Sequence, residues 1–152
     1  MMSKAYSAES NLLVLMFTGS DSSIEEYEET VRAFSKLISE TVNGTSIAII
    51  VVAAEHAQPN AYWRKRFVAV HQTARHPLRI GVVTQSILIR GVMTAIDWLM
   101  RSETNYRSQA FVSFEDAVVT YEKELGQPLD TLRILYRLTR DSQRLQARRA
   151  PL

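Results

Sequence analysis

Two rhythms of apolar residues alternate along this chain. Leu12–Phe17, Ile47–Ala54 and Ile80–Thr84 are short runs that are apolar throughout, the pattern of strands buried on both faces. Between and after them, apolar residues recur every three or four positions, as on helices that bury one side. Ile24, Tyr27, Val31, Phe34, Ile38 and Val42 follow Ser22 and Ser23, each of which has a glutamate three residues on (Glu25, Glu26), the spacing of a capping box. Asn43-Gly44 is expected to close that helix. Gln58-Pro59-Asn60 opens a second, with Trp63, Phe67, Val70 and Ala74 on one face and Pro77 as its stop. Ser86 caps a third pattern carrying Leu88, Val92, Ile96 and Leu99. A short strand at Ala110–Val112 precedes the pair Ser113 and Asp116 and the helical face Ala117, Val118, Tyr121 and Leu125. Met2–Ala8 alternates weakly and is expected as an edge strand.

This order predicts an α/β fold: one mostly parallel sheet of four or five strands covered by helices. Ile47–Ala54 is expected as the central strand, with Ile49 and Val51 flanked by Val14 and Val82. Gly126, Gln127 and Pro128 break the chain before an appended helix that starts near Asp130 and runs to about residue 146, leaving 147–152 as a tail.

At 152 residues, 46% of them hydrophobic, the chain suits a single domain with a real core. The absence of cysteine excludes disulfides, thiolate nucleophiles and cysteine-ligated metals. Met1–Asn11 is polar, unlike a secretory signal, and the longest apolar run falls far short of the ~20 residues of a membrane span. The expectation is a soluble cytoplasmic protein. The net charge of +2 conceals an asymmetry: six arginines against Asp141 make the segment from Leu132 onward +5, leaving −3 for the rest.

The first strand and turn LLVLMFTGSDSSIEEYEETV, the strand–turn–helix RIGVVTQSILIRGVMTAIDWL and the ending AFVSFEDAVVTYEKEL resemble the STAS domain, the fold of the sporulation anti-sigma-factor antagonists, and in particular its SpoIIAA-like branch of bacterial proteins. The resemblance spans roughly residues 5–126 and implies a STAS-like domain over 1–126, with 127–146 as an addition. Phosphoregulated members carry an Asp-x-Ser-Gly turn after the second of these strands. Here that place reads Ala53-Ala54-Glu55-His56-Ala57-Gln58-Pro59-Asn60, without serine or threonine, so control by phosphorylation at that turn is not expected.

Candidate chemistry is sparse. Glu25, Glu26, Glu28 and Glu29 complement a helix dipole and need no catalytic explanation. His56, His71 and His76 match no metal-ligand spacing, and neither GxGxxG nor a Walker sequence is present. His56 is the one histidine expected just beyond a strand's C-terminal end, where open sheets gather ligand residues. Thr84-Gln85-Ser86 offers backbone N–H groups and a hydroxyl to an anion, with Arg90 one turn into the helix. Glu55, His56, Asn60, Gln85, Ser86 and Arg90 therefore form the candidate ligand site. Tyr62–Arg66 mixes aromatic and basic residues as nucleic-acid surfaces do, but core packing plus a solvated face explains it better, and nucleic acid is not an expected partner. No cofactor or metal is expected.

The last helix is less ordinary. Arg133, Arg137, Arg140, Arg144 and Arg148 recur at steps of three or four in one stripe, with Ile134, Leu135, Leu138 and Leu145 roughly opposite. This face either packs on its own domain or is an association surface; the candidate surface residues are Arg133, Arg137, Arg140, Arg144, Leu138 and Leu145. A homodimer is expected, the arginines facing the acids Glu25–Glu29 of the first helix. The functional expectation is a non-enzymatic STAS-like regulatory or protein-interaction module. The alternative is a binder or carrier of a small anionic or lipidic ligand in the crevice at the strand C-termini.

Overall fold

The computed structural model describes residues 1–90 and 105–149. Five strands form one sheet: β1 (Met2–Ser7), β2 (Leu12–Phe17), β3 (Ser46–Val52), β4 (Leu78–Val83) and β5 (Tyr106–Phe111), in that spatial order. β1 runs antiparallel to β2, and every other pair is parallel. β3 is central as expected, with Val14 opposite Ile49 and Val82 opposite Ile50. β5 begins earlier than the apolar pattern predicts, because an edge strand tolerates polar residues such as Arg107 and Gln109 on its solvated positions.

Four helices are described in full: α1 (Ile24–Glu40), α2 (Ala61–His71), α3 (Phe114–Leu125) and α4 (Asp130–Arg149). Residues 87–90 are also helical; Val92, Ile96 and Leu99 of the expected third pattern lie outside the described residues, and Leu88 is exposed rather than buried. Ser23 is the N-cap of α1 and forms the full capping box with Glu26. Ile24 and Val42, expected on the buried stripe, are exposed. Ile24 occupies the first helical position, before the helix reaches the core at Tyr27. At the other end Thr41 turns into extended backbone and donates its hydroxyl to the Leu37 carbonyl at 2.7 Å, so the chain has left the helix before Val42. α3 starts at the predicted Ser113 cap and ends at Gly126, whose φ of 67° is left-handed.

Alternate strand residues divide the core into two layers. Leu12, Val14, Ile47, Ile49, Val83 and Phe111 face α3 and α4, while Leu13, Leu15, Phe17, Ala48, Leu78 and Ile80 face the α1 side. Burying each aliphatic side chain is worth roughly 1.5–3 kcal/mol.

α4 lies across β1 and β2, and Leu129, Leu132 and Leu135 join the same cluster as Ile47 and Val118. Its apolar residues divide between two sides of the helix. Of Ile134, Leu135, Leu138 and Leu145, only Leu135 is buried; the inward face is Leu132, Leu135, Thr139 and Gln143. The physical reason is polar matching. Ser3 Oγ donates to the Thr139 carbonyl at 3.0 Å, Thr18 Oγ1 to Gln143 Oε1 at 2.8 Å, and Gln143 Nε2 to the Met16 carbonyl at 3.0 Å. A buried amide with its partners in place is tolerated, so half of this helix's core face is invisible to a search for apolar residues. None of the described helices is long and apolar enough to cross a membrane.

Candidate functional site

Because β2 to β5 are parallel, their C-termini and the loops that follow share one edge. Backbone bonds tie these loops together: Ala53 N–H to the Phe17 carbonyl (3.0 Å), Ala57 N–H to that of Ser20 (2.8 Å) and Thr84 N–H to that of Phe111 (3.0 Å). Half of the predicted site residues are committed to holding this edge. Asn60 caps α2, its side chain accepting from Trp63 N–H at 3.1 Å. Ser86 Oγ accepts from Ile89 N–H at 3.2 Å, and Gln85 Nε2 donates to the Val112 carbonyl at 3.0 Å. Glu55 is exposed. Arg90 lies four residues after Ser86, its N–H donating to the Ser86 carbonyl.

His56 is the exception. It is buried, 2.8 Å from Ser22 Oγ through Nε2, with its ring 5.6 Å from that of Phe17. It also belongs to the wall of a cavity of about 410 Å³ on the α1/α2 side of the sheet, within the size range of small-molecule sites. α2 packs chiefly against α1, and the space lies between these helices and the strands. Among the described residues its floor is Ile50, Val52, Ile80 and Val82; Tyr27, Phe34 and Phe67 come from the helices, and Tyr106 and Ser108 from β5. Gln58, Arg64 and Val68, all exposed, mark its mouth. His56 is thus the one predicted ligand residue that the structure brings to the cavity.

His71 is a wall residue that the sequence reading passed over. Its ring meets Phe34 edge-on at 4.5 Å and Tyr106 at 5.4 Å. Its Nε2 is buried without a hydrogen-bond partner among the described residues. Burial pushes its pKa down to about 4, so the imidazole is neutral at pH 7. A histidine one helical turn beyond Phe67, in the same stripe as Trp63, was the available signal.

The aromatic and basic residues of α2 are used internally. Tyr27, Trp63 and Phe67 have ring centroids 5.2–6.3 Å apart, and Arg66 lies 5.1 Å over Trp63 while pairing with Glu28. Glu29 pairs with Lys4 and Arg32, and Glu26 with Ser23 and the N-terminal ammonium. Three of the four acids expected to face the arginine stripe of another copy are therefore engaged within this chain.

On α4, Arg133 is drawn out of the stripe. It binds Glu115 (2.7 Å), Glu122 (3.0 Å) and Asp130 (3.0 Å), and its hydrogen bonds hold both glutamates below the usual carboxylate range. Arg137, Arg144 and Arg148 are exposed and make no ion pair among the described residues; Arg140 lies 5.4 Å over the Tyr136 ring. Leu138 and Leu145 are 56% and 53% exposed. No family model, curated protein or solved structure matches this chain.

Proposed function

We propose that this chain is a non-enzymatic, STAS-like interaction module that docks an acidic partner protein through α4. The observation that carries the reading is the three-sided character of that helix. Leu132, Leu135, Thr139 and Gln143 face the sheet; Ile134, Leu138 and Leu145 form a second apolar stripe that is more than half exposed; Arg137, Arg140, Arg144 and Arg148 form the third side. At 100° per residue these sides lie about a third of a turn apart. An exposed aliphatic stripe beside guanidinium groups that make no ion pair among the described residues fits an amphipathic acidic helix, with leucines as anchors and carboxylates for bidentate pairing.

Charge favours a different protein over a second copy. A second α4 brings the same excess of arginines, and the acids of α1 are mostly engaged already. The STAS-like assignment is supported by the antiparallel first pair of strands, the alternation that follows and the closing strand–helix unit β5–α3. The non-enzymatic reading rests on the commitment of Asn60, Gln85 and Ser86 to caps and turns at the strand ends.

The test is titration of the full chain with a synthetic helical peptide that has leucines on one face and glutamates beside them, followed by NMR. Shifts centred on Ile134, Leu138 and Leu145 that weaken with salt and vanish in Leu138→Ser/Arg144→Gln are expected. Shifts elsewhere overturn the reading. So does a wild-type dimer, seen by light scattering, that Leu138→Ser dissociates, since a second copy would then own the surface.

A further inference from the structure

At the edge of the sheet, the Met1 ammonium donates to the Thr18 carbonyl at 2.9 Å, and Thr18 N–H donates to the Met1 carbonyl at 2.8 Å. Met1 and Thr18 are thus a hydrogen-bonded pair of the antiparallel ladder, in which such pairs alternate. Ser3 and Ala5 therefore bond β2, while Met2, Lys4 and Tyr6 turn their N–H and C=O groups away from the sheet. Among the described residues nothing bonds these outward groups. β4 and β5, which residues 91–104 connect, lie at the other end of the sheet.

α4 runs antiparallel to β1 above this edge: Ser3 meets the Thr139 carbonyl, and the Met1 carbonyl meets Gln143. Four residues back along the helix and two on along the strand, about 6–7 Å in each, set Leu135 beside Ala5. One flank of α4 faces α3, through Arg133 with Glu115 and Glu122 and through Tyr136 stacked on Phe114. Ile134 and Leu138 point about 150° away from that flank. α3 covers β3 to β5 and α4 covers β1 and β2, so these two exposed side chains project past the outer edge of β1.

We propose that the acidic partner of α4 also adds a strand to β1. The proposal rests on the reading of α4 given above and specifies the partner's docking element as a strand–helix unit, the edge of a folded domain. Side-by-side helices pack about 8–10 Å apart, close to two strand spacings. A helix seated on Ile134 and Leu138 therefore stands outside β1, with no strand of β1–β5 beneath it. Its lower apolar face stays in water unless the partner supplies a strand there. The outward groups of Lys4 and Tyr6 are the template on which that strand pairs. Its upper side chains are apolar, because they lie under the helix. Its lower ones are polar, because they border Lys4 and Tyr6, whose heads Glu29 and Glu40 hold.

Two synthetic peptides test this on the full chain. One is the acidic helix alone; the other joins the same helix through a Gly-Ser linker to a strand of about six residues alternating valine and threonine. Backbone pairing at the edge should tighten the second peptide about tenfold over the first. Amide exchange at Lys4 and Tyr6, followed by NMR, should slow with the second peptide only, while Ser3 and Ala5, already bonded to β2, do not change. Lys4→Pro deletes an outward N–H and spares the ladder to β2, so it should cancel that gain and leave the helix peptide unaffected. Lys4→Ala keeps the N–H and should keep the gain. Equal affinities for the two peptides, unchanged exchange at Lys4 and Tyr6, or a Lys4→Ala loss as large as that of Lys4→Pro overturns the strand and leaves α4 as the docking site. Failure of both peptides to bind overturns the reading of α4 and the strand with it.

Discussion

The two faces of the sheet were built from similar strand residues and ended differently. On the α3/α4 face, Val14, Ile47, Ile49, Ala117, Val118 and Leu132 are all fully buried, and Phe114 stacks on Tyr136 with ring centroids 4.0 Å apart. On the α1/α2 face Leu13, Leu15, Ala48 and Leu78 are just as buried, while Ile50, Val52 and Val82, toward the strand C-termini, stay partly exposed beside a cavity of about 410 Å³, as Val51 does on the opposite face. The described helices of the two faces are also held differently. α4 is fastened to β1 and β2 by Ser3, Thr18 and Gln143 and to α3 by Arg133. α2 rests on α1 through an aromatic cluster. A helix fixed to the sheet takes its position from the strands, and one fixed to another helix takes it from that helix.

The largest effect should come from opening the closed face. Leu132 is completely buried in the cluster shared by β2, β3, α3 and α4. Leu132→Ala should cost about 3 kcal/mol, the middle of the range for a buried leucine whose site cannot collapse. The check is urea unfolding followed by circular dichroism. A loss under about 1 kcal/mol would mean that this face is not the tightly packed one.

Acid should probe the open face. His71 titrates near 4 in the folded protein because it is buried, against 6.5 for its ordinary value. The folded pKa is depressed, so as pH falls below 6.5 the unfolded chain takes up a proton that the folded chain refuses. The stability linked to neutral His71 is complete above 6.5 and is lost progressively toward 4. Between pH 7 and 5 this amounts to roughly 2 kcal/mol. His71→Phe should remove that part of the slope, and comparing the two proteins cancels the contributions of the other groups. Parallel pH profiles for wild type and variant would contradict a buried, neutral His71.

Much of this was legible in the sequence, and the failures share a cause. The runs at Leu12–Phe17 and Ile47–Ala54 fix buried strands because nothing else accommodates six or more consecutive apolar residues in so short an element. The caps at Ser23, Asn60, Ser86 and Ser113 were legible because a capping side chain acts on backbone within three residues. The rotation of α4 was not, because the Gln143 amide is buried by partners more than 120 residues away, while Thr139 spends its hydroxyl on the Leu135 carbonyl at 2.6 Å. Polar residues count as outward in any periodicity, so the pattern groups Leu135 in one apolar face with Ile134, Leu138 and Leu145, a face open either to packing on its own domain or to association. The candidate site was legible in part: His56 lines the cavity, whereas Asn60 and Ser86 are used in short-range capping. Where α2 stands is set by its packing on α1, which no local pattern encodes.

The smallest expected effect is also the sharpest comparison, because it uses two neighbouring residues of one strand. Gly81 and Val82 alternate across the sheet, Gly81 toward the α3/α4 face and Val82 toward the cavity. A Cβ at Gly81 would stand 3.2 Å from the rings of Phe111 and Tyr121, which already meet edge-on at 5.7 Å. Tyr121 is 2% exposed, so its ring has little freedom to withdraw. Replacing glycine also restricts the unfolded chain, a gain of about 0.4–1 kcal/mol that partly offsets the crowding of about 1–3 kcal/mol. Gly81→Ala should therefore lose about 1 kcal/mol. Val82→Phe adds far more volume, but among the described residues its side chain borders the cavity rather than packed rings, so it should cost less stability than Gly81→Ala. One methyl group would then cost more than a phenyl ring placed 3–4 Å along the same strand, an inversion that only an asymmetric core produces. Equal losses from the two substitutions, measured by urea unfolding, would mean that both faces are packed alike.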